Sequence, residues 1–263
     1  MESGLKNKVV LVTGASGGIG AAVVRMLVQE GALPVLHAHR GRDRAEALAR
    51  ELGEAPRSLP VVSADLADAD AVTELWSDLQ EQFPRVDAVV ANAGVWPDTP
   101  AHAGDLPPSR WRHTVGVNLD GVFHVVGGFF RHLADVPREE AAVVLVGSTA
   151  GLFGEAGHSD YAATKAALAF GLTPSWKNEI VALAPRGRVN CVCPGWTATP
   201  MAAEALQDPD VVGRALATTP LEKVATPEDV ARSIVFLCSP LLAGHLSGVV
   251  LPVHGGMEGR RLR

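Results

Sequence analysis

The chain has 263 residues, of which 47% are hydrophobic and 20% charged, and its formal net charge is -6. This length and apolar content suit one large α/β domain, and the negative charge excludes a general electrostatic attraction to nucleic acid. The apolar run near the N-terminus is too short for a secretory signal, and no stretch approaches the about 18 apolar residues of a membrane span. We therefore expect a cytoplasmic protein without a membrane segment.

The cysteines predict neither disulfides nor a metal centre. Three cysteines cannot form a disulfide framework. Cys191 and Cys193 fall in RVNCVCPG, a strand-like run in which residues two apart face the same side. No further cysteine or paired histidine has the spacing that completes a tetrahedral set, so we interpret both as buried free thiols and expect no metal.

A glycine-rich turn lies between a predicted strand and a predicted helix near the N-terminus. Residues 8–13 read KVVLVT, and GASGGIG and the helical pattern AAVVRMLVQEGA follow at once. Gly14, Gly18 and Gly20 permit a sharp turn, close approach of the backbone to a pyrophosphate, and close packing of helix on strand. The helix N-terminus adds free N–H groups and positive potential. In this context the motif predicts a dinucleotide site.

Basic residues follow the second predicted strand, residues 33–38. NAD-binding units carry an acid about 20 positions beyond the glycines, which accepts hydrogen bonds from the adenosine ribose. Here Ala38, His39, Arg40 and Arg42 come first, and the first acid is Asp43. A 2′-phosphate would meet cations there, so the sequence favours NADP(H), with NAD(H) as the alternative. The alternative is that these arginines merely solvate the start of a helix.

Polar residues also follow the third and fourth predicted strands, residues 59–63 and 86–91. Asp65 comes after the third strand, and Asn92 and Gly94 come after the fourth. In open parallel sheets, ligands bind outside the carboxyl ends of the strands. Asn92 is therefore a candidate cofactor or sheet-bracing residue, with an ordinary turn former as the alternative.

The single tyrosine of the chain, Tyr161, has Lys165 four positions after it. In a helix this spacing puts the phenol and the ammonium on one face. A nearby lysine charge favours the phenolate and would lower the tyrosine pKa from about 10, which would make Tyr161 a usable general acid or base. The alternative is a helix surface on which a tyrosine lies against a lysine stem.

Two further polar residues are candidates for functional roles. Asn118 falls in a helical region over residues 109–133, and because a buried amide without partners is costly, we expect it to be either exposed or part of a polar network. Ser148 follows the strand at residues 143–147. A serine at a strand end usually caps a helix or turn, but Ser148 would lie beside Tyr161 if the connection folds back over the strand ends.

These motifs, in this order, resemble those of the short-chain dehydrogenase/reductase family over residues 6–257. TGASGGIG corresponds to the family's TGxxxGxG, ANAG to its NNAG, YAATK to its YxxxK, and PGWTAT to the turn after its sixth strand. Asn118 and Ser148 match its remaining catalytic positions, and Ala91 replaces the first asparagine of NNAG. The 3-oxoacyl-acyl-carrier-protein reductase branch is the most similar, and the HAHR stretch resembles pteridine and quinone reductases.

The resemblance implies a role for each matched residue. Tyr161 would exchange a proton with the substrate oxygen, and Lys165 would lower the pKa of that phenol and hold the nicotinamide ribose. Ser148 would hydrogen-bond the substrate oxygen, and Asn118 would brace Lys165 through water. The cofactor positions would be Gly14, Ser16, Gly18, Ile19, Gly20, His39, Arg40, Asp65, Leu66, Asn92, Gly94, Tyr161, Lys165, Pro194, Gly195, Thr197 and Thr199.

The C-terminal half adds predictions about the pocket. Residues 196–219 combine helical pieces and prolines and suit a mobile substrate lid, and Trp96, Phe153 and Trp196 would form an apolar pocket. Pro174 lies inside the helix expected over residues 160–182, so we predict a kink or a break near Gly171. The arginine-rich residues 258–263 are expected to be a solvated tail. The resemblance also implies a homotetramer or homodimer.

Together these observations predict a single-domain, Rossmann-type, doubly wound α/β fold over residues 1–263, with seven mostly parallel strands and helices on both faces. The expected activity is NADP(H)-dependent interconversion of a carbonyl and a secondary alcohol, on a 3-oxoacyl thioester, quinone or pteridine. An NAD-dependent polyol, sugar or cyclic alcohol dehydrogenase is the alternative. A non-catalytic dinucleotide-binding sensor or scaffold is the alternative outside enzymes.

Overall fold

One parallel β-sheet organises the computed structural model, which describes residues 1–53 and 59–257. Within these residues seven strands pair in the order β3-β2-β1-β4-β5-β6-β7, and every pairing is parallel. The strands are β1 Val9–Val12, β2 Leu33–His37, β3 Val61–Val62, β4 Ala88–Ala91, β5 Ala142–Val146, β6 Arg188–Pro194 and β7 Val250–Val253. The predicted doubly wound sheet is thus confirmed. The tail at residues 258–263 lies outside the described residues.

Helices connect the strands and cover both faces of the sheet. They are α1 Gly18–Gln29, α2 Arg42–Leu52, α3 Ala69–Gln82, α4 Pro108–Val115, α5 Gly121–Asp135, α6 Thr149–Phe153, α7 Ser159–Ala166, α8 Thr173–Glu179, α9 Pro209–Leu216 and α10 Pro227–Cys238. A proline at the first helical position and a reciprocal capping box between Thr226 and Asp229 define the start of α10.

The sheet is buried on both sides because its strands are apolar at nearly every position. In β1, Val9 and Leu11 belong to the core formed with α3 and α5. Val10 and Val12 face the opposite way and belong to the core formed with α1 and α10. Such continuous apolar runs are what a parallel sheet with two covered faces requires.

The strand order reverses direction at β1, which places a crevice at the carboxyl ends of β1 and β4. From β1 the chain winds outward to β2 and β3, and then returns to the other side of β1 with β4. Ligands of open α/β sheets bind at this switch point. The loops after β1, β4, β5 and β6 therefore define the candidate site.

Two π-helical segments interrupt the long helices next to this crevice. Residues Gly116–Asp120 join α4 to α5, and residues Ala167–Leu172 join α7 to α8. Of the kink or break predicted near Gly171, the structure shows no break, because the backbone stays helical through Leu172 and Thr173, but the regular α-helix is interrupted there. The disturbance takes the form of a π turn, in which Thr173 Oγ1 donates to Leu168 O, five residues back, at 2.7 Å.

Candidate active site

The turn between β1 and α1 is a tightly packed glycine cradle. Gly14 has a φ of 63°, which favours glycine. A Cβ on Gly20 would lie 2.9 Å from both Ala15 Cα and Asn92 Nδ2, so the helix packs directly on the turn. Helix α1 begins without a side-chain cap. Its N–H groups are the donors that a pyrophosphate would use, so this cradle fits the predicted dinucleotide.

Asn92 braces the glycine cradle from the neighbouring strand β4. Its Nδ2 donates to Thr13 O at 2.9 Å and to Gly14 O at 3.2 Å. Thr13 Oγ1 in turn accepts from the backbone N–H groups of Asn92 and Ala93, each at 3.0 Å. Of the alternatives for Asn92, the structure therefore shows the bracing one.

Tyr161, Ser148 and Lys165 meet at the carboxyl end of β5. Ser148 caps helix α6 by accepting from Ala150 N at 3.1 Å, and its hydroxyl lies close enough to the Tyr161 phenol to lower the pKa of that phenol. The serine thus has both functions considered from the sequence. Lys165 lies one turn after Tyr161 on α7, with Nζ 5.7 Å from the phenol ring centroid. This Nζ donates to Val146 O at 2.8 Å.

Burial governs the proton affinities of this pair. Desolvation raises the pKa of Tyr161 to about 12, although the nearby Ser148 hydroxyl opposes the rise. Desolvation also lowers the pKa of Lys165 to about 8. The expected depression of the Tyr161 pKa by Lys165 is therefore not found in this arrangement. The physical reason is that burial outweighs the attraction of an ammonium group that is itself desolvated and bound to a backbone carbonyl.

Asn118 is fully buried and clamps the loop that follows β4. Its Oδ1 accepts from Val95 N at 2.8 Å and its Nδ2 donates to Val95 O at 2.9 Å. A Cβ on Gly94 would lie 3.1 Å from Asn118 Oδ1 and 3.4 Å from Lys165 Nζ. The polar network expected around Asn118 exists, and it places the amide and the lysine close to Gly94.

A second buried polar network, which sequence reasoning missed, holds α7 in place. Asp160 is fully buried, and its carboxylate accepts from Arg110 Nε at 3.0 Å, from Arg110 Nη2 at 3.2 Å and from Thr114 Oγ1 at 2.8 Å. Burial raises the pKa of Asp160, but the hydrogen bonds from Arg110 and Thr114 outweigh it and leave the pKa below its usual value. Asp160 precedes Tyr161, so this ion pair fixes the start of α7.

The basic residues after β2 surround the turn between β2 and α2. Ser16 and Arg44 converge there, since a Cβ on Gly41 would lie 3.0 Å from Ser16 Cβ and 2.8 Å from Arg44 Nη2. Arg42 instead points along its helix to Glu46, at 2.8 Å. Arg40 is exposed beside them. Sequence reasoning named Arg40 and Arg42, and the structure adds Arg44, which lies with Arg42 in the first turn of α2.

The acidic residue after β3 approaches this region from the other side. Asp65 Oδ1 lies 3.9 Å from His39 Nδ1, and both side chains are about half exposed. Leu66 is buried, and its carbonyl oxygen lies 2.9 Å from His124 Nδ1. These contacts join the ends of β2 and β3 at the edge of the crevice, where the resemblance implied a cofactor.

The chain after β6 closes the crevice opposite the cradle. A Cβ on Gly18 would lie 2.8 Å from Thr199 Cγ2, so Thr199 covers the start of α1. Thr197 is buried and donates to Gly195 O at 2.9 Å, while Gly195 N donates to Val253 O at 3.0 Å. Short 3-10 turns and α9 follow in residues 196–219. Motion of this segment as a lid stays a prediction.

The predicted aromatic pocket is only partly assembled. Trp96 and Trp196 meet edge to face with ring centroids 6.1 Å apart. Phe153 is 46% exposed and has its ring 6.0 Å from His254. Two polar residues that the sequence analysis missed, Glu155 and His158, lie against Trp96.

The described residues include free cysteines only, and Cys191 and Cys193 are buried with their Sγ atoms 3.8 Å apart. In residues 1–53 and 59–257 no group of three or more His, Cys, Asp or Glu side chains is arranged to hold a metal ion. No helix in this part of the chain is long and apolar enough to span a membrane.

Comparison with known proteins identifies relatives over nearly the full length. Residues 8–210 match the family model described as short chain dehydrogenase. The chain is 33% identical to 3-oxoacyl-[acyl-carrier-protein] reductase FabG of Thermotoga maritima, over 96% of this chain and 98% of that protein. It is 36% identical to L-rhamnose 1-dehydrogenase (NAD(P)(+)) of Azotobacter vinelandii, over 96% and 97%.

Solved structures give the same result. A short-chain dehydrogenase/reductase from Brucella melitensis, described as glucose/ribitol dehydrogenase, superposes with a TM-score of 0.87 at 31% identity, over 98% of this chain and 99% of that one. The fold, the ordered motifs and the juxtaposed tyrosine, serine and lysine agree with this family. The chain therefore belongs to the short-chain dehydrogenase/reductase family and is an NAD(P)-dependent oxidoreductase acting on carbonyl and alcohol groups.

Proposed function

We propose that the protein is an NADP(H)-dependent oxidoreductase that interconverts a carbonyl compound and a secondary alcohol, with Tyr161 as the general acid and base. The observation that carries this proposal is the position of Lys165 one helical turn after Tyr161, with Nζ 5.7 Å from the phenol ring centroid, at the end of β5 where Ser148 begins α6. When bound, the nicotinamide supplies the hydride in reduction and accepts it in oxidation. The glycine cradle, Asn92 and Lys165 are the groups that would hold the dinucleotide.

The protonation state of Tyr161 favours reduction at neutral pH. A phenol with a pKa of about 12 keeps its proton, which is the form that a general acid needs. The Ser148 hydroxyl lies close to this phenol, so a carbonyl oxygen that accepts from both hydroxyls would be held and polarised as negative charge develops on it. In the oxidation direction the phenol must first lose its proton, and we therefore expect the rate of alcohol oxidation to rise with pH.

The preference for NADP(H) is supported by the cations around Gly41. Arg40, Arg44 and the Ser16 hydroxyl offer donors for a 2′-phosphate. NAD(H) is the second candidate, because the rhamnose dehydrogenase relative is named for both nucleotides.

We also propose assembly into a homotetramer or homodimer in the cytoplasm. Large apolar side chains are exposed on the helices beside the site, with Trp111 42%, Phe123 57% and Phe170 61% accessible. Three free, buried cysteines are consistent with a reducing compartment. Light scattering after gel filtration gives the number of subunits.

The test is initial-rate oxidation of NADPH and NADH against a panel of carbonyl compounds. The panel contains an acetoacetyl thioester, a quinone, a diketone and a cyclic ketone, so it covers both acyl and ring substrates. Tyr161→Phe removes the transferable proton and should lower kcat by at least about a hundredfold. NADPH binding, followed by fluorescence, should persist in the variant. Full turnover by Tyr161→Phe would overturn the proposed mechanism.

A further inference from the structure

A partly buried acid and a buried base that the proposed chemistry does not use lie next to the candidate active site. Glu155 Oε1 accepts from Trp96 Nε1 at 3.2 Å and lies 3.5 Å from His158 Nδ1. The side chains of Glu155 and His158 are 27% and 7% exposed. We name Trp96, Glu155 and His158 the Glu155 cluster.

The cluster leaves one buried polar atom, His158 Nδ1, unsatisfied. His158 Nε2 lies 2.8 Å from Pro97 O, and since a carbonyl oxygen only accepts, Nε2 carries a hydrogen and donates it. His158 Nδ1 is then the one buried side-chain nitrogen or oxygen in the described residues that has no hydrogen-bond partner. Both contacts of Glu155 described above use Oε1, which leaves Oε2 as an acceptor for a ligand. Natural proteins rarely bury such groups without a reason.

The cluster lies next to the residues of the candidate active site. Trp96 comes two residues after Gly94, on which a Cβ would lie 3.4 Å from Lys165 Nζ, and His158 is the N-cap residue of α7, which carries Tyr161. Trp96 stacks on His158 with ring centroids 4.9 Å apart and meets Trp196 edge to face. A carboxylate framed by aromatic faces suits a ring that carries both C–H and O–H groups.

We propose that Glu155 is a substrate-specificity residue that accepts a hydrogen bond from a second hydroxyl group of the substrate, distinct from the oxygen that reacts. The substrates are then hydroxylated carbonyl compounds and their polyols, preferably cyclic. This inference rests on the proposed function and adds the substrate class to it. An apolar acyl chain would cover the carboxylate without giving it a donor, which is unfavourable.

The experiment compares cyclohexanone with 2-, 3- and 4-hydroxycyclohexanone, using NADPH and NADH. These ketones share the reacting group and differ only in the added hydroxyl. The wild-type enzyme should prefer at least one hydroxyketone over cyclohexanone by about tenfold or more in kcat/KM, mainly through KM. In Glu155→Gln the amide oxygen can still accept from Trp96, but an NH₂ donor replaces the second acceptor. We expect the preference to fall by at least about fivefold.

The controls separate this inference from the proposed function. Glu51→Gln changes an exposed glutamate that pairs with Arg25, away from the Glu155 cluster, and should keep the wild-type preference. Cyclohexanone reduced as efficiently as all three hydroxyketones would overturn the role of Glu155 and leave the proposed function standing. An unchanged preference in a folded Glu155→Gln protein would overturn it too. No turnover of any ketone in the enlarged panel with either nucleotide would overturn both proposals.

Discussion

Replacing Gly128 with alanine tests how closely α5 packs against α3. Trp76 of α3 is buried, and its Nε1 donates to Val125 O of α5 at 3.1 Å. A Cβ on Gly128 would lie 2.8 Å from Trp76 Cγ and closer still to Cδ1 and Nε1. The indole cannot easily yield, because it also stacks on Phe129 at 6.0 Å. The absence of a side chain at Gly128 is therefore what permits this contact.

The expected cost follows from three effects. Overpacking of a core costs about 1–3 kcal/mol, and loss of the indole hydrogen bond adds about 0.5–1.5 kcal/mol. Alanine in place of glycine inside a helix returns about 0.5–1 kcal/mol. We therefore expect Gly128→Ala to lower the free energy of unfolding by about 2 kcal/mol.

The adjacent residue supplies a matched control. A Cβ on Gly127 would meet only Arg131 Nη1, at 3.8 Å, which is an ordinary contact. Gly127→Ala should therefore gain the helical preference without overpacking and raise the free energy of unfolding by about 0.5–1 kcal/mol. Both variants are compared by urea unfolding, followed by circular dichroism at one protein concentration. Equal stability of the two variants would refute the packing argument.

Two further predictions concern stability against pH and the choice of cofactor. Burial lowers the pKa of His37 to about 4 in the folded chain, whereas the ordinary pKa of histidine is about 6.5. Between these two pH values the unfolded chain binds a proton at this position and the folded chain does not. The free energy of unfolding should therefore fall by about 3 kcal/mol as the pH drops from 6.5 to 4. In His37→Gln the slope of unfolding free energy against pH should flatten over that range, whereas the exposed control His102→Gln should keep the wild-type slope. Equal slopes in the two variants would contradict the role of His37 in this pH dependence. Arg44→Gln should lower kcat/KM for NADPH about tenfold, since one charge-assisted hydrogen bond is lost, and leave kcat/KM for NADH within about twofold. Arg50→Gln, farther along α2, should change neither value, and equal losses for both nucleotides in Arg44→Gln would argue against a 2′-phosphate contact.

The fold could be predicted from the sequence because its signals are local. Most strands are continuous apolar runs, and helical patterns with recognisable breaks separate them, so the order of elements could be read directly. The π turn before Pro174 could not, because local propensities do not encode a change from i→i−4 to i→i−5 hydrogen bonding, such as that from Thr173 N to Leu168 O. A proline signals a disturbed helix but does not say how the backbone accommodates it.

Within the site, the sequence alone was enough to identify the residues that lie in short motifs. The glycine cradle and the Tyr161–Lys165 spacing depend on neighbours within a few positions, so the order of residues alone specifies their chemistry. Only the tertiary structure decided which distant residues join them: Trp96 meets Glu155 across 59 positions, and Arg110 meets Asp160 across 50. It also decided the pKa of Tyr161, because desolvation depends on what packs around a group and not on its neighbours in sequence.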